Sequence, residues 1–321
     1  MIEKRVNENL KLSSVILGSC YFGTEISEEE SFKMLDRYYE LGGRTVDTAR
    51  VYASWLDGGE SASEKTIGKW LKSRKLQKEI TVVTKGGHPP IGDMLSSRLD
   101  RDSIFYDIER SLKALDIPKI DLYLLHRDNL SEPIPQIMQT LNELIKMGYV
   151  NNIGVSNWTC ERIAEANIFA EQNGLEKISV SQIQWSLAKT TPEAERDMTL
   201  VCMNDKEYKG YLNNQLPIMA FSSQSKGFFS KYLNGEELNP KILERFYTDE
   251  NLKRAKRVGE LANKYSVSPS AIVLSYIYSN NLNGTAIVGC SKLSQLEDSM
   301  MNSNFILTDD DINFLTDGEG F

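Results

Sequence analysis

Short apolar runs rich in β-branched residues recur along the chain at 15–17, 45–47, 80–84, 120–125, 150–155, 178–183, 217–221 and 284–288. Most are separated by stretches whose apolar residues return every three or four positions, the helical period. Ser27-Glu-Glu-Glu30 fits a capping box that opens one such stretch, because a serine hydroxyl and a glutamate three residues on satisfy each other's backbone N–H groups. Phe32, Leu35 and Tyr39 then share a helical face, and Gly42-Gly43 stops the helix. The same pattern predicts helices near 61–73, 101–115, 134–147 and 159–172, another around 205–212, and a capped helix after Thr308 with only a short tail beyond it. Residues 2–14 alternate loosely about the turn-forming Asn7-Glu-Asn9 and predict a small hairpin.

Helices that separate short β-branched strands imply parallel pairing through right-handed crossovers. Eight such units close into an α/β (β/α)8 TIM barrel, whose functional face lies at the C-terminal strand ends. No low-complexity linker interrupts the pattern, so residues 1–321 are expected to form a single domain with a short N-terminal hairpin. The long connections 186–216 and 222–249 both belong to the functional face, and the second is polar and contains glycine.

Three of these strands end in residues suited to proton chemistry. The run at 45–47 ends on Asp47, with Tyr52 five residues on; 80–84 stops at Lys85, and 120–125 stops at His126. A phenol, with an ordinary pKa of about 10, exchanges a proton near neutrality only beside a cation. A lysine held by an aspartate supplies that cation, and a histidine can face the substrate oxygen. One carboxylate, phenol, ammonium or imidazole at a strand end is commonplace; the ordered set points to a site.

The net charge of −8 argues against a general nucleic-acid binder, which needs clustered Lys and Arg. Hydrophobic residues at 40% provide for a sizeable core, and no apolar run approaches the ~20 residues of a membrane span. Cys20, Cys160, Cys202 and Cys290 are far apart and show no metal spacing, as expected of reduced thiols in a cytoplasmic protein. With two histidines, His88 and His126, and no His-x-His pair, a metal-dependent hydrolase is disfavoured and no metal is expected.

Asp47-Thr-Ala-x-x-Tyr52, followed by Thr84-Lys85 and Leu125-His126, resembles the aldo-keto reductase superfamily, and the likeness runs from Leu17-Gly-Ser-Cys20 to Ile287-Val-Gly-Cys290. The resemblance implies a catalytic tetrad of Asp47, Tyr52, Lys85 and His126, with Tyr52 as general acid–base. It also implies an extended nicotinamide dinucleotide across the barrel mouth, which suits a chain without a G-x-G-x-x-G motif. In that scheme Ser19, Cys20 and Asp47 border the cofactor, Ser156, Asn157 and Gln182 hold its carboxamide, and Phe221 stacks on its ring. Ser222, Ser223, Gln224 and Gly227 form the diphosphate loop, with Lys231 as a later basic contact. The turn at Gly289, Ser291, Gln295, Asp298 and Ser299 takes the adenosine. Lys292 is the only cation in that last segment, so NADP(H) is favoured over NAD(H) by family habit, and the choice stays open.

Tyr21, Trp55, His88, Asn129, Trp158 and Trp185 fall just past strand ends and are candidates to line the substrate pocket, with Arg127-Asp128-Asn129 adding hydrogen-bonding capacity. The expected activity is reduction of an aldehyde or ketone, such as a sugar or other polar carbonyl compound, by a monomer or weak homo-oligomer. The alternative is a cofactor-binding regulatory subunit with weak turnover.

Overall fold

The computed structural model of the protein describes residues 1–318. Strands β1 (Glu3–Arg5) and β2 (Lys11–Ser13) form the expected antiparallel hairpin, with Lys4 opposite Leu12. The next eight are β3 (Val15–Gly18), β4 (Thr45–Asp47), β5 (Thr81–Gly86), β6 (Ile120–Leu125), β7 (Val150–Ser156), β8 (Ser181–Gln184), β9 (Ile218–Phe221) and β10 (Gly284–Val288). They close into a parallel barrel in sequence order, β10 pairing with β3. The (β/α)8 expectation is met.

The first crossovers carry α1 (Glu28–Glu40), α2 (Ala62–Arg74), α3 (Arg101–Leu115), α4 (Ile134–Lys146) and α5 (Cys160–Gln172). The Ser27 capping box forms, its hydroxyl accepting from Glu30 N–H while Glu30 accepts from Ser27 N–H. After β8 come a single turn, α6 (Pro192–Glu195), and α7 (Asp205–Asn214). The segment 222–249 is not the open loop its polarity predicted. It holds α8 (Phe228–Leu233) and α9 (Pro240–Phe246), since Phe228, Phe229, Ile242 and Phe246 are buried and Asn239 caps a helix that begins on a proline. The long connection before β10 holds two further helices, α10 (Asp249–Tyr265) and α11 (Pro269–Tyr278). In α11 every residue from Ala271 to Tyr278 is buried, so no polar face marks its period. Helices α12 (Leu293–Met301) and α13 (Asp309–Asp317) complete the described chain.

Alternation along the strands builds two environments inside the barrel. Ile16, Val83, Leu122, Leu124, Val180, Met219 and Ile287 form an apolar interior cluster, which Leu10 and Leu12 of the hairpin join from the N-terminal end. Gly154 makes room for it, because a Cβ there would lie 2.5 Å from Leu124 Cδ2 and 2.6 Å from Val180 O. The alternate residues, among them Val46, Val82, Tyr123 and Ile183, belong to the outer shell packed under the helices. Burying each such side chain is worth about 1.5–3 kcal/mol. Two residues beyond Thr45, Val83, Leu124, Gly154 and Val180 come Asp47, Lys85, His126, Ser156 and Gln182, so at the C-terminal end the interior turns polar. No helix among the described residues is long and apolar enough to cross a membrane.

Candidate active site

After β4 the chain continues alongside β5, Thr48 N–H donating to Val83 O and Arg50 N–H to Lys85 O. A turn at Ala49–Tyr52 then returns the phenol over the barrel. Strand pairing alone sets Asp47 beside Val83 and Lys85 beside Leu124, so the polar ends of β4, β5 and β6 are neighbours. The side chains meet accordingly. Lys85 Nζ donates to Asp47 Oδ2 at 2.8 Å, to Thr48 O at 2.8 Å and to Tyr52 Oη at 2.9 Å. Tyr52 Oη lies 3.3 Å from Asp47 Oδ2, and its ring packs edge-on against His126 with centroids 5.8 Å apart. Asp47 and Lys85 are essentially inaccessible, with side-chain exposures of 2% and 0%.

Gln182 approaches from the far side of the barrel and donates from Nε2 to Asp47 Oδ1 at 2.8 Å. Both carboxylate oxygens are therefore matched by donors, which a buried charge requires. The Ser19 hydroxyl donates to Asp47 O at 2.8 Å and lies 2.7 Å from Ser63 Oγ, bracing the same residue from behind.

Burial, followed by the charge of Asp47, pushes the Tyr52 phenol well above its ordinary value. The sequence had suggested that the neighbouring ammonium would hold it down; desolvation inside the barrel outweighs that attraction, and the phenol is a firmly protonated donor. Burial also lowers Lys85, with the Asp47 charge and hydrogen bond opposing. His126 is pushed well below 6.5 by burial and then by Arg127, His88 and Lys85, so its ring is neutral. Its buried Nδ1 has no partner among the described residues. His88 stacks edge-on against it at 4.8 Å, its own Nδ1 bonded to Pro89 O.

The residues matched to cofactor contacts fall into two groups around the mouth. Asn157, at a left-handed φ of 60°, takes its N–H to Gln182 O and its side-chain amide to Ser156 Oγ and His126 O. Phe221 pairs with Gln184 at the end of β9. Cys20 is half-buried, its thiol pushed up to about 11 by burial. In the second group Ser222, Ser225, Lys226 and Gly227 all have positive φ, between 50° and 80°. Ser225 N–H closes on Ser222 O and Gly227 N–H on Gln224 O, so the loop is a run of tight turns. Ser225 Oγ is buried there without a partner among the described residues, while Ser223 Oγ donates to Ile287 O. Gln224 Nε2 reaches Ser299 Oγ at 3.2 Å, and Ser291 N–H donates to Gln295 Oε1, joining this loop to the 289–299 turn. An unsatisfied buried hydroxyl next to the Lys226 cation in a tight loop fits a diphosphate.

The substrate-pocket candidates divide. Tyr21 and Trp55 are exposed and pack edge-on at 6.2 Å. Trp158 and Trp185 instead belong to the core, each at most 1% exposed, and offer a ligand no surface. Arg127 is occupied by Asp197, Thr199 and His126 O, and Asp128 by Arg162; Asn129 accepts from Ser131. That loop spends its polar groups on itself. The Gln182–Asp47 bond and the stacking of His88 on His126 have no sequence signal beyond the positions themselves.

The chain has relatives among known proteins. The model of the aldo/keto reductase family matches residues 14–317. A norsolorinic acid reductase of Emericella nidulans is 26% identical over 94% of this chain and 77% of its own length. An aryl-alcohol dehydrogenase of Pestalotiopsis microspora is 27% identical over 97% and 79%. A probable aryl-alcohol dehydrogenase of Saccharomyces cerevisiae is 27% identical over 90% and 88%.

Proposed function

The chain belongs to the aldo/keto reductase family, and from that premise we propose that it reduces aromatic aldehydes or ketones to their alcohols with NADPH, Tyr52 giving the proton. When bound, the nicotinamide cofactor supplies the hydride for the carbonyl carbon. What the chain's own residues contribute follows from the contacts around Tyr52. The carbonyl oxygen, becoming an alkoxide, needs a proton within hydrogen-bond reach. Tyr52 starts protonated, and its hydroxyl turns from the long 3.3 Å contact with Asp47 to that oxygen. The phenolate left behind is met by Lys85 Nζ at 2.9 Å, a preset charge in a water-poor site. Asp47 and Thr48 O fix the ammonium, and the neutral His126 ring donates to the same substrate oxygen and sets its direction.

The observation that carries this reading is the buried Lys85 ammonium bonded to both Tyr52 and Asp47. The aromatic preference rests on the exposed Tyr21–Trp55 pair, on loops following β3 and β4, and on relatives named for aryl alcohols. NADPH consumption with nitrobenzaldehyde, against a small aliphatic aldehyde at equal concentration, tests it. The aromatic substrate is expected to turn over faster. NADPH binding without turnover of either would leave a binding subunit, and turnover of the aliphatic compound alone would remove the aromatic assignment.

A further inference from the structure

Beside the tetrad, bordered by Lys85 and His88, lies a cleft of about 310 Å³. Arg50 and Arg98 supply its polar wall, Tyr106 also lines it, and Pro89, Pro90 and Ile91 are its apolar residues. It adjoins the reaction centre directly: Lys85 lines it, and the His88 ring stacks on His126 at 4.8 Å.

The charge in this wall is not balanced. Asp107 is the one buried carboxylate between the two guanidinium groups. Its Oδ1 accepts from Arg98 Nη2 at 2.6 Å and lies 3.3 Å from Arg50 Nε, while Oδ2 accepts from Gly87 N–H. The Arg50 Nε contact is close but misaligned, leaving that buried donor without a hydrogen bond. Two other acids act on Arg50: Glu60, 3.4 Å away and 63% exposed, which water screens, and the buried Glu64, whose carboxyl burial pushes up to about 7, so that it carries part of a charge near neutrality. Lys85 and Asp47 cancel one another. Two guanidinium forks against Asp107 and a partly ionised Glu64 leave net positive charge facing the cleft. Arg50 also lies over the Tyr106 ring at 5.6 Å, which holds its plane at the wall.

A guanidinium fork with spare donors matches the geometry of a carboxylate. We propose that this cleft receives a carboxylate carried by the substrate, so that Arg50 and Arg98 select aromatic carbonyl compounds bearing an acidic substituent. The proposal rests on the reductase reading and names the substrate class of that site. Arg50 and Arg98 do not touch the reacting atoms; they are specificity residues.

The test compares kcat/KM for 4-carboxybenzaldehyde and benzaldehyde, in the protein as it stands and in Arg98→Met and Arg98→Lys. A ratio of tenfold or more in favour of the acid is expected, falling toward one in Arg98→Met and partly restored in Arg98→Lys. A structural defect would lower both substrates together and leave the ratio unmoved. A parallel arm titrates benzoate and benzyl alcohol against tryptophan fluorescence, with benzoate affinity expected to fall about tenfold in Arg98→Met. A wild-type ratio of one or below, or a ratio indifferent to Arg98→Met, overturns the proposal while leaving the reductase intact. Benzoate binding through Arg98 without turnover of either aldehyde keeps the cleft and removes the reductase reading. Absence of both binding and turnover overturns both.

Discussion

Replacing Lys85 by methionine removes the charge at the centre of the site and keeps a flexible side chain of similar length. The structure fixes what is left behind. Asp47 would keep Gln182 Nε2 at 2.8 Å on one oxygen, but its other oxygen would retain only the 3.3 Å contact with Tyr52. A buried carboxylate stripped of its cation costs about 3–5 kcal/mol, because the lost partner no longer offsets its desolvation. The surviving amide bond and the release of a buried ammonium put the expected loss at the lower end, ~3 kcal/mol. The Lys85→Met/Asp47→Asn double variant should recover much of that loss, since both charges go together, giving a coupling energy of a few kcal/mol. Urea unfolding of the four proteins in the cycle measures it. A single-variant cost below about 1 kcal/mol, typical of a solvent-exposed pair, would refute the claim that the ammonium is held inside the barrel by Asp47.

Three further outcomes follow from other parts of the molecule. Glu64 is fully buried, with Thr84 donating to one oxygen and the other without a hydrogen bond among the described residues, and burial pushes its carboxyl up to about 7 from 4.5. Its folded value lies above its unfolded one. Its contribution is therefore whole below pH 4.5, declines as pH rises toward 7 and is lost above, a swing of roughly 3 kcal/mol; Glu64→Gln should flatten that slope in urea melts between pH 5 and 8. Ser225→Ala removes a buried hydroxyl that is unsatisfied in the free protein, so it should leave stability unchanged or slightly raised while weakening NADPH binding several-fold, about 1 kcal/mol, in a fluorescence titration. NADPH should be preferred over NADH by less than about a thousandfold, ~4 kcal/mol. Lys292 is the one cation of the adenosine turn, and Arg245 is engaged 3.0 Å from Glu195; a larger preference in parallel titrations would mean a further basic group reaches the 2′-phosphate.

The fold was legible wherever one face of an element is buried and the other is not. The ends of β4, β5 and β6 could be read because a period of two runs straight into Asp47, Lys85 and His126. Helix α11 could not, since burial on every side erases the polar half of its pattern. The short helices α8 and α9 were hidden by their length and polar flanks, although Asn239 and Pro240 are a start signal. For Trp158 and Trp185 the sequence leaves core and pocket equally open, because an aromatic just past a strand serves either; tertiary packing puts both inside. The bond from Gln182 to Asp47 spans 135 residues and exists only because the barrel closes, which no local pattern states. The same holds for Arg50, Arg98 and Asp107, brought to one cleft by three different elements.

The central claim is that the Tyr52 hydroxyl delivers the proton, and Tyr52→Phe tests it most directly. The substitution removes one oxygen and keeps the ring that packs on His126. Single-turnover reduction of nitrobenzaldehyde under saturating NADPH, with cofactor affinity titrated on the same preparation, separates chemistry from binding. The rate should fall by about 10²–10⁴-fold, the usual worth of general acid catalysis, with NADPH affinity nearly unchanged. Reduction by Tyr52→Phe at the rate of the unaltered protein would contradict the account.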